Sequence, residues 1–121
     1  MAQQRFKGTL HNRTEQLSLK IDLYDESISV PGMEFFGPCN GYLHGNIYGI
    51  WTITSSRVVD EKNAVIRLSN DQGSDTQEVE LKFENDTTCL FRQKGKACIK
   101  KVVNRKLVKI PVDIRLTRQT D

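Results

Sequence analysis

Apolar and polar residues alternate with a period of two along much of this chain. Leu17, Leu19, Ile21 and Leu23 alternate with Ser18, Lys20, Asp22 and Tyr24, the pattern of a strand with one buried face. The same alternation recurs in Val79, Leu81 and Phe83 against Glu78, Glu80, Lys82 and Glu84, and in Ile110, Val112, Ile114 and Leu116 against Pro111, Asp113, Arg115 and Thr117. These three segments predict the strongest strands. Weaker ones are predicted over 6–10, 47–54 (with Ile47, Gly49, Trp51 and Ile53 on one face), 64–68, 88–91 and 96–102. Asn, Asp and Gly mark the turns between them, at Asn12-Arg13-Thr14, Asp25-Glu26-Ser27, His44-Gly45-Asn46, Glu61-Lys62-Asn63, Asn70-Asp71-Gln72-Gly73, Asn85-Asp86 and Lys94-Gly95, because these residues adopt or bridge tight backbone bends.

No window holds an apolar stripe at helical spacing over three turns, so any helix is a single turn, placed at 12–16. Eight or nine antiparallel strands with short connections define an all-β fold, an up-and-down barrel with a β-sandwich as the alternative. With 121 residues and no repeat, linker or low-complexity tract, the chain reads as one domain, 1–121. That length buries roughly two thirds of the unfolded surface. The 37% hydrophobic and 27% charged residues are ordinary for a globular domain and argue against disorder.

No run of about 18 apolar residues predicts a membrane-spanning helix, and Met1-Ala2-Gln3-Gln4-Arg5-Phe6 has no signal-peptide core. As it stands the chain reads as cytoplasmic. Export to the periplasm after removal of a signal peptide is the alternative, since Gln3-Gln4-Arg5 suits a cleaved N-terminus. Three cysteines, Cys39, Cys89 and Cys98, are too few and odd in number for a disulfide scaffold. Cys89 and Cys98 flank the Lys94-Gly95 turn on the opposite phase from Leu90, Ala97 and Ile99. That spacing suggests cross-strand neighbours, read first as two ordinary thiols.

Charge changes the picture more. Arg92, Lys94, Lys96, Lys100, Lys101, Arg105, Lys106 and Lys109 fall within 87–112, which has no Asp or Glu. Residues 1–86 hold 8 basic and 13 acidic side chains, net −5, so the +3 total hides a strong asymmetry along the chain. A basic cluster attracts nucleic acid, anionic lipid or an acidic protein surface. Phe91 is its one neighbouring aromatic and no recognition helix is predicted, which argues against nucleic acid. The blander account pairs these cations across strands with Glu78, Glu80 and Glu84.

The segment 30–40 breaks the alternation, with two prolines and two glycines around Met33, Phe35 and Phe36. It reads first as a plug in which Phe35 and Phe36 seal a barrel end, and otherwise as a lid or an apolar partner contact. Gly41, Gly45 and Gly49 follow at four-residue spacing, but Tyr42, His44, Asn46 and Tyr48 make the stretch too polar for lipid. Gly45-Asn46 instead supplies positive φ in a turn, and Gly49 permits a close approach. Trp51 reads as core.

Catalytic chemistry is thinly represented. His11 and His44 are the only imidazoles, and neither sits in a nucleophile or metal motif. The pairs Asp25-Glu26 and Asp60-Glu61 fall in solvated turns, and Cys39 with His44 lacks further ligands for zinc. No enzyme, cofactor or metal site is predicted.

The succession Phe6-Lys7-Gly8-Thr9-Leu10, Leu17-Ser18-Leu19-Lys20-Ile21, a Gly/Pro-rich loop, Gly49-Ile50-Trp51 and the final Ile114-Arg115-Leu116-Thr117-Arg118 resembles the calycin-type, lipocalin-like barrels over most of the chain. Gly49 and Trp51 repeat the letters of the lipocalin G-x-W signature. The resemblance implies a non-enzymatic binding module holding a small apolar ligand, with Phe35, Phe36, Tyr42, Tyr48 and Trp51 near the mouth or cavity. The competing expectation is a protein-interaction or anionic-partner module using the basic hairpin 92–109, with Arg92, Lys94, Lys96, Lys100 and Lys101 as contacts.

Overall fold

A computed structural model describes residues 5–71 and 75–119, without the side chain of Phe36. Among the described residues ten strands form: β1 (Lys7–Asn12), β2 (Leu17–Asp22), β3 (Gly41–Gly45), β4 (Trp51–Val58), β5 (Asn63–Asn70), β6 (Thr76–Phe83), β7 (Thr88–Lys94), β8 (Lys100–Val103), β9 (Lys106–Lys109) and β10 (Asp113–Arg118). Eight close into an antiparallel barrel in the order β1-β10-β7-β6-β5-β4-β3-β2, while β8 and β9 pair only with each other. Apart from this excursion the path is up-and-down, as the alternating pattern predicts, and closure leaves the barrel without an edge.

Inward positions recur every second residue. Leu17, Leu19 and Ile21 on β2, Ala64, Ile66 and Leu68 on β5, and Val79, Leu81 and Phe83 on β6 are all buried in one cluster. Phe6, Leu10, Leu43, Trp51, Ile53, Phe91, Ile114 and Leu116 join it, and each large aliphatic or phenylalanine side chain among them contributes about 1.5–3 kcal/mol by leaving water. The edge of the Phe6 ring meets the Phe83 ring at 5.2 Å between centroids.

The turns form as their chemistry dictates. Asp60 Oδ1 accepts the N–H groups of Lys62 (2.8 Å) and Asn63 (2.9 Å) between β4 and β5, which lowers the Asp60 pKa, the Lys62 N–H being the largest cause. Asn85 Oδ1 does the same for Thr87 and Thr88, both at 2.9 Å, between β6 and β7. Gly45 has φ 129°, and a Cβ there would run into the Gln16 carbonyl.

Several expectations are corrected. The 12–16 segment is a turn rather than a helix, because Asn12 Oδ1 takes the Glu15 N–H (2.7 Å) in a side-chain-to-backbone bond that competes with helix. Among the described residues the helical turn is instead Glu34–Phe36. The strand expected over 47–54 starts at Trp51, since Gly49 (φ 80°) bends the chain before it.

The strand expected over 96–102 does not pair with β7, which is flanked by β6 and β10. The chain leaves the barrel at Gly95 (φ 70°). Val112 does not share the buried phase of Ile114 and Leu116 and is 51% exposed, because β10 begins only at Asp113, after Pro111.

Phe35 is 79% exposed and seals nothing. Phe36, its expected partner in the plug, lies outside the described side chains. Ile99 and Ile110, both in the core cluster, stand instead where the chain leaves and re-enters one barrel end. Cys89 faces the interior, with Phe83 and Leu116 as its register neighbours, so it is no neighbour of Cys98. All three thiols are free.

Candidate interaction surface

The end of the barrel that carries the excursion also gathers the 13–16 turn, the 46–50 connection and the start of β6. Two buried amides fix the legs of the excursion. Gln77 Nε2 donates to the Lys94 carbonyl (2.9 Å), and Gln77 Oε1 accepts the Cys98 N–H (2.8 Å). Gln93 Nε2 donates to the Pro111 carbonyl (3.0 Å), and the Gln93 N–H reaches the Val112 carbonyl (2.9 Å). The Ile110 N–H closes on the Ile99 carbonyl at 3.1 Å. Buried polar groups with such specific partners hold one geometry, so the excursion leaves the barrel on a fixed base.

Beyond that base, β8 and β9 form a two-stranded ribbon in the register Lys100↔Lys109, Lys101↔Val108, Val102↔Leu107 and Val103↔Lys106. Its two-residue turn places Asn104 and Arg105 at φ 51° and 68°, the sign at both positions of a type I′ hairpin turn. The Lys100 carbonyl accepts the Tyr48 N–H (2.7 Å), and Lys101 Nζ lies 3.4 Å from Glu15 Oε1. Otherwise the ribbon stands in solvent. Val102 and Leu107 are each 52% exposed, and Val103 and Val108 are exposed too. Lys96, Lys100, Arg105, Lys106 and Lys109 form no ion pair among the described residues.

The expected anionic-partner residues therefore divide. Arg92 and Lys94 lie on the barrel wall: Arg92 Nε is 2.9 Å from Asp113 Oδ1, and Lys94 Nζ is 3.8 Å from Glu80 Oε2. The Arg92 guanidinium holds the Asp113 carboxyl below its usual range, through the hydrogen bond first. Lys94 follows the blander account, while Arg92 is also paired across strands but with Asp113 rather than with Glu78, Glu80 or Glu84. Lys96 sits exposed on the crossover, whereas Lys100 and Lys101, on β8, are half-buried and Lys101 is paired with Glu15. The four exposed aliphatics are the feature sequence reasoning missed; the signal was present in Lys-Lys-Val-Val-Asn-Arg-Lys-Leu-Val-Lys, two β-rich arms around a turn-forming Asn.

The expected apolar-ligand residues do not converge. Trp51 is buried in the core cluster, with its Nε1 unpartnered among the described residues. Tyr42 is buried and Tyr48 exposed, Tyr42 pairing in register with Thr52 on the opposite phase from interior Leu43. Tyr48 and Trp51 share only a notch of about 90 Å³ beneath the ribbon, with Asn70, Asp75, Lys100 and Leu107. The 30–39 loop lies along the outside of β4 and β5. There Val30, Met33 and Pro38 face Thr52, Thr54 and Ser69 across a cavity of about 370 Å³.

His11 and His44 register on either side of Ser18 across β1, β2 and β3. No hydrogen bond joins either imidazole to that hydroxyl among the described residues. No group of three or more His, Cys, Asp or Glu side chains gathers to hold a metal ion among them, and no helix is long and apolar enough to cross a membrane.

These features define a closed eight-stranded up-and-down β-barrel from which a basic, aliphatic-faced ribbon projects. No known protein family, curated protein or solved structure matches the chain.

Proposed function

We propose that this chain is a non-enzymatic binding module whose ribbon engages an anionic partner. One observation carries the reading: Lys100, Arg105, Lys106 and Lys109 stand outside the barrel without ion pairs among the described residues, beside aliphatic side chains that the fold leaves in water. Exposed, interspersed apolar and cationic groups on a projecting element are characteristic of binding surfaces. The likeness to calycin-type barrels bears on architecture here, because the interior is occupied by the protein's own side chains.

Retention on a heparin column tests the reading. The protein is retained at low salt and released by moderate salt, as counterion release requires. Lys100→Glu/Lys106→Glu/Lys109→Glu abolishes retention, whereas Arg92→Glu/Lys94→Glu, which alters cations already paired, reduces it less. Unchanged retention in the triple variant removes the ribbon from the reading.

A second reading, a small apolar ligand, is supported by the 370 Å³ cavity under the 30–39 loop, a size within the range of ligand sites. Enhancement of an apolar fluorescent probe that Ser69→Trp abolishes supports it. A flat titration removes it.

A further inference from the structure

Pairing within the ribbon decides which of its backbone groups stay unused. Ile110 bonds to Ile99, and the register advances in steps of two, so Lys101, Val103, Lys106 and Val108 direct their N–H and C=O groups across the ribbon. Lys100 and Val102 on β8, and Leu107 and Lys109 on β9, direct theirs outward. The Tyr48 N–H on the Lys100 carbonyl confirms this phase. That bond, with the Lys101–Glu15 ion pair, ties the base of β8 to the barrel. The outer edge of β9 has no such tie: no loop, turn or inter-element backbone bond among the described residues reaches Leu107 or Lys109.

We infer that the outer edge of β9 is a docking site for an extended acidic segment of a partner protein, which adds to the ribbon as a third strand. This rests on the anionic-partner reading and specifies the partner. A strand laid against β9 meets the N–H and C=O groups of Leu107 and Lys109, and its side chains lie opposite Lys106, Leu107, Val108 and Lys109. Charge complementarity then fixes the occupant: carboxylates at the two ends, over Lys106 and Lys109, and two β-branched aliphatics between them.

The window is closed on both sides. Asn104-Arg105 is the turn, and Pro111, next in the outward phase, has no N–H to offer. A second copy of β9 supplies no carboxylate: antiparallel pairing in the outward phase sets Leu107 opposite Lys109 and leaves the lysines of both strands without a counter-charge.

The test uses the full chain and the blocked peptide Asp-Glu-Val-Val-Glu-Asp. Titration followed by ¹⁵N–¹H spectra is expected to saturate. Amide exchange slows at Leu107 and Lys109, while Lys106 and Val108, already bonded, change little. Methylating alternate peptide nitrogens in one phase abolishes binding; methylating the other phase leaves it intact. Lys106→Glu/Lys109→Glu weakens binding about tenfold or more, a size that two close charge pairs supply.

Equal binding of both methylated peptides, or absence of peptide binding with heparin retention intact, overturns strand addition and leaves the anionic-partner reading standing. Loss of heparin retention as well overturns both. Tighter binding to phosphatidylserine vesicles or duplex DNA than to the peptide, without slowed exchange at Leu107, assigns the edge to a different polyanion and also overturns the inference.

Discussion

Burial sets Cys89 apart from the other two cysteines. The interior pushes its thiol from the ordinary 9.0 up to about 12, desolvation being the main cause. The folded state therefore keeps a proton that the unfolded state releases above pH 9. Stability from this group is full below pH 9 and is lost as pH rises toward 12, by about 1.4 kcal/mol per unit. Denaturant titrations at pH 8, 9, 10 and 11 are expected to show this decline, and Cys89→Ala to flatten it; equal slopes in both proteins contradict the assignment. Cys89 also stays unreactive toward a thiol reagent at pH 8 until the protein is unfolded. Gly49 offers a second test at this scale. Its φ of 80° disfavours any L side chain, and a Cβ would stand 2.6 Å from the side-chain oxygens of both Asn70 and Asp71. Gly49→Ala is expected to cost about 2 kcal/mol and lower Tm by several degrees, measured by thermal melts.

The ribbon is the element whose role and stability separate. Its four large aliphatics are exposed, so its removal opens only the small notch beside Trp51 that Lys100 and Leu107 line and releases the Tyr48 N–H to water, while Ile99 and Ile110 already form a bonded pair of the kind that flanks a two-residue turn. Replacing residues 100–109 by Asn-Gly is therefore expected to leave the β-rich circular dichroism spectrum intact and shift Tm by only a few degrees, while heparin retention disappears. A collapsed spectrum would show that the ribbon supports the barrel. The strands with unbroken alternation, β2 and β6, were legible because their inward and outward residues differ sharply in polarity. Legibility failed where both phases are similar. In β7, Cys89 and Leu90 are both apolar, and the polar Gln93, which faces inward and is buried, hides the period. Pro111 reset the phase before β10, and Val102, Val103, Leu107 and Val108 lie outside although their side chains are of the kind that fills cores. The basic cluster itself was legible; its division into wall cations neutralised by Asp113 and Glu80 and ribbon cations that, Lys101 with Glu15 apart, form no ion pair among the described residues was not, since pairing depends on register.

For the whole molecule, closure joins segments more than a hundred residues apart through unequal seams. β5 and β6 pair along nearly their full length, from Asn63↔Lys82 to Ser69↔Thr76, whereas β1 and β10 register only at Leu10↔Arg118 and His11↔Thr117. Side chains supplement that short ladder. Asn12 Nδ2 donates to the Arg115 carbonyl (2.8 Å). Arg118 donates to the carbonyls of Lys7 (2.8 Å) and Arg5 (2.6 Å), while its guanidinium lies 5.5 Å from the centre of the Phe83 ring. Charge-assisted bonds are worth about 1.5–3 kcal/mol each, and desolvation by the neighbouring ring adds to them. Arg118→Ala is thus expected to lower stability by about 2–3 kcal/mol. The loss should be local before it is global: native-state hydrogen exchange should speed up at Thr9 and His11 well before it does at Ile66 or Val79, because the seam opens without unfolding β5–β7. Equal acceleration at all four amides would mean that the barrel opens only as a unit, and that Arg118 supports the core rather than the closure.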